Sequence, residues 1–122
     1  MIQYMRNEKD EMREGKAIQA KVIISGSGSH RYLDFTVMEG GKYAAVTYLQ
    51  KELKFTPECT LVAGDSGNDE DMFYGEEHGV ITANHTEGMA KWIEENMPTL
   101  RNKYVSTYKV ADAVTEALRK LE

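Results

Sequence analysis

The sequence predicts an α/β fold built on parallel strands, and three observations predict it. From residue 42 onward the patterns run helix, strand, helix, strand, helix, small extended piece, helix, which is the alternation of βαβ units. Two runs in that stretch, Thr60–Ala63 (TLVA) and Gly79–Ala83 (GVITA), read as short strands buried on both faces. The 122 residues are 41% hydrophobic and 29% charged, which suits a globular chain and is too apolar for a disordered one.

The elements follow in order. Residues 3–19 are polar, with Glu8, Glu11 and Glu14 interleaved with Lys9 and Arg13 at surface-helix spacings, so a surface helix is expected there. Lys21–Ile24 is a β-branched run that stops at the flexible loop Ser25–Ser29. Tyr32–Met38 alternates, with Leu33, Phe35 and Val37 on one side, the period of a half-buried strand. Gly40-Gly41 opens a helix from Lys42 to about Leu53, with Ala45, Val46, Leu49 and Leu53 on one stripe. After Thr60–Ala63 comes an acidic loop and a short helix from Glu70 to Tyr74. Glu87–Asn96 is an amphipathic helix with Met89, Trp92 and Ile93 inward. Tyr104–Ser106 is a short extended piece. Val110–Leu121 closes the chain, with Val110, Val114, Ala117, Leu118 and Leu121 on one face. Pro57 and Pro98 both fall between elements.

Charge and cysteine content narrow the function classes. Fifteen Lys and Arg against 20 Asp and Glu give a net charge of −5, and no basic run offsets it, so no nucleic-acid partner is expected. The longest apolar stretches, Val22–Ile24 and Leu61–Ala63, fall far short of the ~20 residues that span a bilayer, so no membrane partner is expected. The single cysteine, Cys59, has no intrachain partner, and the charged start lacks the apolar segment of a signal peptide. These features predict a cytoplasmic protein, with Cys59 as a packed or half-buried thiol. His30, His78 and His85 are scattered without metal-ligand spacing.

The segment Leu61–Phe73, LVAGDSGNDEDMF, carries the strongest chemical signal. In parallel sheets ligands gather at the carboxyl ends of strands. Asp65 stands one residue past the strand and Asp69 four residues later, with Ser66 and Asn68 as neutral oxygen donors between them. A hard cation such as Mg²⁺ takes such oxygens, commonly one or two carboxylates with substrate phosphate. The same residues also suit a helix N-cap, and on pattern alone the two readings stand level. A second element lies nearby: Gly40-Gly41-Lys42 puts a lysine at a helix start, from which its ammonium can reach the same sheet edge.

Together the two strings, GGKYAAVTYL and TLVAGDSGNDEDMF, resemble the last two motifs of haloacid-dehalogenase-type phosphatases. Within that superfamily the sucrose-phosphate phosphatase group is the most similar. The resemblance continues through GVITANHTEGMAKWIEEN and YVSTYKVADAVTEAL, from about residue 20 onward. It implies residues 1–39 as the end of a cap domain with its return strand, and residues 40–122 as the carboxyl-terminal half of a three-layer core. It further implies Asp65 and Asp69 as Mg²⁺ residues, with Asp69 acting through water or orienting Lys42. Ser66 and Asn68 support the loop, Lys42 neutralises the transferring phosphoryl, and Asn84 touches substrate.

Such phosphatases place their nucleophile in a D-x-D-x-T signature, which this sequence lacks. In the family's sheet the nucleophile strand lies beside the strand bearing the metal loop. The resemblance therefore implies Mg²⁺-dependent hydrolysis of a sugar phosphate as part of a larger enzyme, with the isolated chain inactive. The rival reading is a catalytically dead fragment serving as a binding or regulatory module. Either way the strand at 60–63 is expected to pair through its open edge, with a second copy or with an amino-terminal half.

Overall fold

The computed structural model describes residues 2–5, 18–26 and 28–122. Two sheets organise them. Strands β1 (Ile2–Met5), β2 (Ile18–Ser25) and β3 (Tyr32–Val37) form an antiparallel sheet in the order β1-β2-β3. Strands β4 (Leu61–Gly64), β5 (His78–Ile81) and β6 (Lys103–Val105) form a parallel sheet in the order β4-β5-β6. The register pairs Leu61 with His78 and Gly79 with Lys103, so all three parallel strands end at one edge. Helices α1 (Lys42–Leu53), α2 (Glu87–Asn96) and α3 (Val110–Lys120) and a 3-10 segment at Gly67–Tyr74 complete the arrangement.

Alternation along the parallel strands divides the core between two faces. Val62 and Ile81 meet Met72, Phe73, Met89 and Trp92 on one side, with Val46 of α1 packed against them. Val80 meets Ala113 and Ala117 of α3 on the other, with Leu61 and Ala63 alongside. The result is helix, sheet and helix in three layers, the expected α/β class. The Trp92 ring stands 5.9 Å from Phe73 and 5.5 Å from Tyr74, and its indole N–H donates to the Tyr74 hydroxyl at 3.0 Å. Among the described residues no helix is long and apolar enough to cross a membrane.

Several expectations need correction. Ile2–Met5 is a strand paired with Ile18–Lys21, because β2 offers its backbone edge there; the rest of the expected surface helix lies outside the described residues. The apolar side of β3 is not half-buried: Leu33, Phe35 and Val37 are exposed, the alternation naming a face that the described residues do not cover. The α1 stripe is likewise uncovered except at Val46, with Ala45, Leu49 and Leu53 exposed. In α3 the buried pair is Ala113 and Ala117, whose small side chains let the helix approach Val80, while Val110, Leu118 and Leu121 face outward. Cys59 ends a 3-10 turn outside the sheet and is exposed. Among the described residues β4 pairs with β5 alone, so its other long edge has no strand beside it.

Candidate functional site

The site begins where β4 runs out. Gly64 is the last residue of β4, and a β-carbon there would lie 2.5 Å from the Asp69 side chain, so only glycine lets the chain pass. The following residues turn into the 3-10 segment, which returns Asp69 against the strand end. Asp69 is buried, 3% exposed, and its Oδ2 accepts from the N–H groups of Asp65 (2.8 Å) and Ser66 (3.2 Å). Its Oδ1 takes the Lys42 ammonium in an ion pair. One carboxylate thus fixes the loop and the lysine together.

Lys42 opens α1, and its side chain is half-exposed, so the ammonium keeps open space beyond Asp69. Ser66 Oγ donates to Asn68 Oδ1 at 2.6 Å, closing the loop on itself. The Asp65 main chain is fixed on both sides: its carbonyl accepts from the Thr86 N–H at 2.8 Å. Its half-buried carboxylate takes no partner among the described residues.

The structure therefore brings Lys42, Asp65, Ser66, Asn68 and Asp69 to the carboxyl edge of the parallel sheet. Asn84, in the turn after β5, uses its side-chain oxygen to accept the Val110 N–H at 3.0 Å, bracing a residue held at φ +46° at the start of α3. Beside the loop a cleft of about 480 Å³ separates it from β2, with Lys21 and Arg31 on one wall and Asn68, Glu70 and Asp71 on the other. Burial pushes the Glu70 carboxyl above its ordinary value, and the Asp71 charge beside it adds to the shift.

A metal can be weighed against this donor set. Among the described residues no three His, Cys, Asp or Glu side chains form a cage. Both Asp69 oxygens have protein partners, whereas the Asp65 carboxylate is available. One carboxylate with waters and a phosphate suits Mg²⁺, so the residues fit part of such a site.

Three participants have no counterpart in the sequence reading. Asp71 and Lys21 meet across the cleft, 3.7 Å apart. Thr86 both holds Asp65 and caps α2 by accepting the Met89 N–H at 3.3 Å. A threonine just before an amphipathic run is a recognisable N-cap. The meeting of Lys21 with Asp71 joins residues 50 positions apart, and no local pattern announces it.

A sequence profile described as sucrose-6F-phosphate phosphohydrolase matches residues 4–122. The chain belongs to this family. Among its relatives, probable sucrose-phosphatase 1 of Arabidopsis thaliana is 31% identical over 121 residues, covering 96% of this chain and 28% of that protein. The crystal structure of the Synechocystis sp. PCC6803 sucrose-phosphatase, in complex with sucrose and phosphate, superposes with a TM-score of 0.75 at 31% identity, over 84% of this chain and 40% of that one. A haloacid dehalogenase-like hydrolase from Bacillus subtilis shares the fold, with a TM-score of 0.58 at 19% identity. This member of the sucrose-6F-phosphate phosphohydrolase family thus spans about a quarter of the length of the curated relatives it matches and 40% of the Synechocystis chain.

Proposed function

We propose that this chain carries the lysine and metal half of a phosphate-monoester hydrolase site, acting on a sugar phosphate of the sucrose 6F-phosphate type within a larger protein. One observation carries the reading: the Lys42 ammonium, held by buried Asp69 at the carboxyl edge beside an available Asp65 carboxylate. Lys42 supplies positive charge for the equatorial oxygens of a transferring phosphoryl group, the principal protein contribution to such chemistry. Asp65 is the residue that would hold Mg²⁺, and Asp69 orients both Asp65 and Lys42. Magnesium, when bound, adds charge neutralisation at the phosphate. Ser66 and Asn68 keep the loop closed. Asn84 braces α3 through its side-chain oxygen, which leaves its amide N–H groups to donate to a substrate at the same edge.

In this reading the antiparallel sheet is the end of a cap, and the cleft beside Lys21 and Arg31 receives the sugar. In this reading the nucleophile comes from an aspartate on a strand seated against the open edge of β4, supplied by the larger protein. Alone, the chain has no nucleophile and no turnover.

The test is a chimera joining this chain to the amino-terminal part of the Synechocystis sucrose-phosphatase. With Mg²⁺ it is expected to release phosphate from sucrose 6F-phosphate, while the isolated chain releases none. Lys42→Ala in the chimera is expected to cost about 10²–10³-fold in rate, as loss of one preorganised charge partner does. A folded chimera with no phosphate release, or one indifferent to Lys42→Ala, would sink the proposal and favour a binding or regulatory module.

A further inference from the structure

We infer that Asp71, held by Lys21, is the positioning residue for Lys42, and that this clamp fixes where the ammonium stands at the carboxyl edge. The inference rests on the reading of Lys42 given above. It starts from how α1 begins. The residue before Lys42 is Gly41, at φ +103°, which brings no side chain to cap the helix, and the first turn of α1 has no acid of its own. The first N–H groups of a helix need acceptors from elsewhere.

Asp71 supplies one from outside the helix. Its Oδ2 accepts the N–H of Tyr43, the residue next to Lys42, at 3.3 Å. The carboxylate lies so close that a β-carbon on Gly41 would stand 2.8 Å from it. Lys21, on β2, completes the clamp: its ammonium donates to the Gly40 carbonyl at 3.1 Å and lies 3.7 Å from Asp71 Oδ2. The stretch Gly40–Tyr43 is therefore held from both sides by one cation and one carboxylate.

Asp69 and Asp71 come from the same 3-10 segment, two residues apart, and divide the work. Asp69 takes the side chain of Lys42, and Asp71 takes the backbone that carries it. Without Asp71 the start of α1 loses its outside acceptor, and a long, half-exposed lysine loses its fixed base. Because Lys21 belongs to the antiparallel sheet, the clamp also makes the placement of Lys42 depend on where β2 sits.

The experiment measures acylation of lysines in the full chain by N-hydroxysuccinimide acetate, residue by residue, using peptide mass spectrometry. Lys51 and Lys54, at the far end of α1, serve as internal references. Asp69→Ala is expected to raise Lys42 reactivity strongly. Asp71→Ala is expected to raise it about fivefold relative to the references, the scale of one lost hydrogen bond. Asp71→Asn, which keeps an acceptor for the Tyr43 N–H, is expected to restore most of the protection, a rescue that general loosening would not give. Should Asp71→Ala not fold, Lys21→Met decides the matter, with an expected rise in the same direction. Lys42 reactivity unchanged in Asp71→Ala, or in Lys21→Met where that variant decides, while Asp69→Ala raises it, would overturn the clamp and leave the reading of Lys42 standing. Reactivity unchanged in Asp69→Ala would instead remove the Lys42–Asp69 pair on which both depend.

Discussion

Helices α1 and α2 lie on the same side of the parallel sheet and are treated very differently. Helix α2, with ten residues, seals Met89 completely and leaves Trp92 only 7% exposed. Helix α1, with twelve, has no buried residue, and its Leu49 and Leu53 are 53% and 60% exposed. Both carry an apolar stripe at helical spacing. The difference is what stands opposite: α2 packs on Phe73 of the 3-10 segment and Ile81 of the central strand β5, whereas Leu49 and Leu53 of α1 line an open cavity with Leu61 and Val62 of β4, whose far edge has no neighbour among the described residues. Apolar surface of this kind beside a strand with one open edge is the sort of surface that interaction sites use. One flank of the molecule is a finished core and the other is uncovered among the described residues, with the Lys42–Asp69 pair on the boundary between them; in the function proposed above, the uncovered flank seats a further strand.

The comparison can be broken most directly by truncation. Phe73→Ala, at a residue with no exposure, is expected to lower unfolding free energy by about 3–5 kcal/mol, while Leu53→Ala stays within about 0.5 kcal/mol. Urea denaturation of the two variants checks this, and equal losses would mean that α1 is covered after all. A smaller effect is expected at the boundary. Asp69→Ala strands the N–H groups of Asp65 and Ser66 along with Lys42, a cost of about 1–3 kcal/mol by the same measurement.

Dye binding sharpens the contrast further. Leu49→Glu with Leu53→Glu is expected to reduce fluorescence from an apolar-surface dye with little change in stability, since neither residue is packed. The least effect belongs to the finished side. Burial, with the Glu116 carboxylate that accepts the Tyr104 hydroxyl at 3.1 Å, pushes the Tyr104 pKa up to about 12. The fold favours the neutral phenol, so this contribution is whole below the ordinary value of 10.0 and is lost as pH rises through about 12. Tyr104→Phe should therefore narrow its stability gap to the parent protein across that window, read from denaturation at stepped pH.

Much of this was legible in the residues. Periodicity placed α1 and α2 at their ends, and the apolar runs located β4 and β5 to within two residues. The string around Asp65 and the lysine at position 42 pointed to one sheet edge because strand ends and helix starts in a βαβ unit share it. What periodicity cannot supply is the covering partner. It named the stripes of α1, β3 and α3 without telling which would be buried, and in α3 the small residues Ala113 and Ala117 won over the larger Leu118 and Leu121. The role of Asp71 was hidden for the same reason, because it depends on β2 bringing Lys21 to the start of α1.

The central claim, that β4 is a seat awaiting a strand, is tested most directly by amide hydrogen exchange. The carbonyls of Thr60 and Gly64 bond to β5, so by alternation the N–H groups of Leu61 and Ala63 face the open side. In dilute monomer these two amides are expected to exchange much faster than those of Val62 and Gly64. Adding the amino-terminal part of a sucrose-phosphatase is expected to slow Leu61 and Ala63 selectively. Slow exchange at Leu61 and Ala63 in a monomer verified by sedimentation, or no change on adding the partner, would contradict the account.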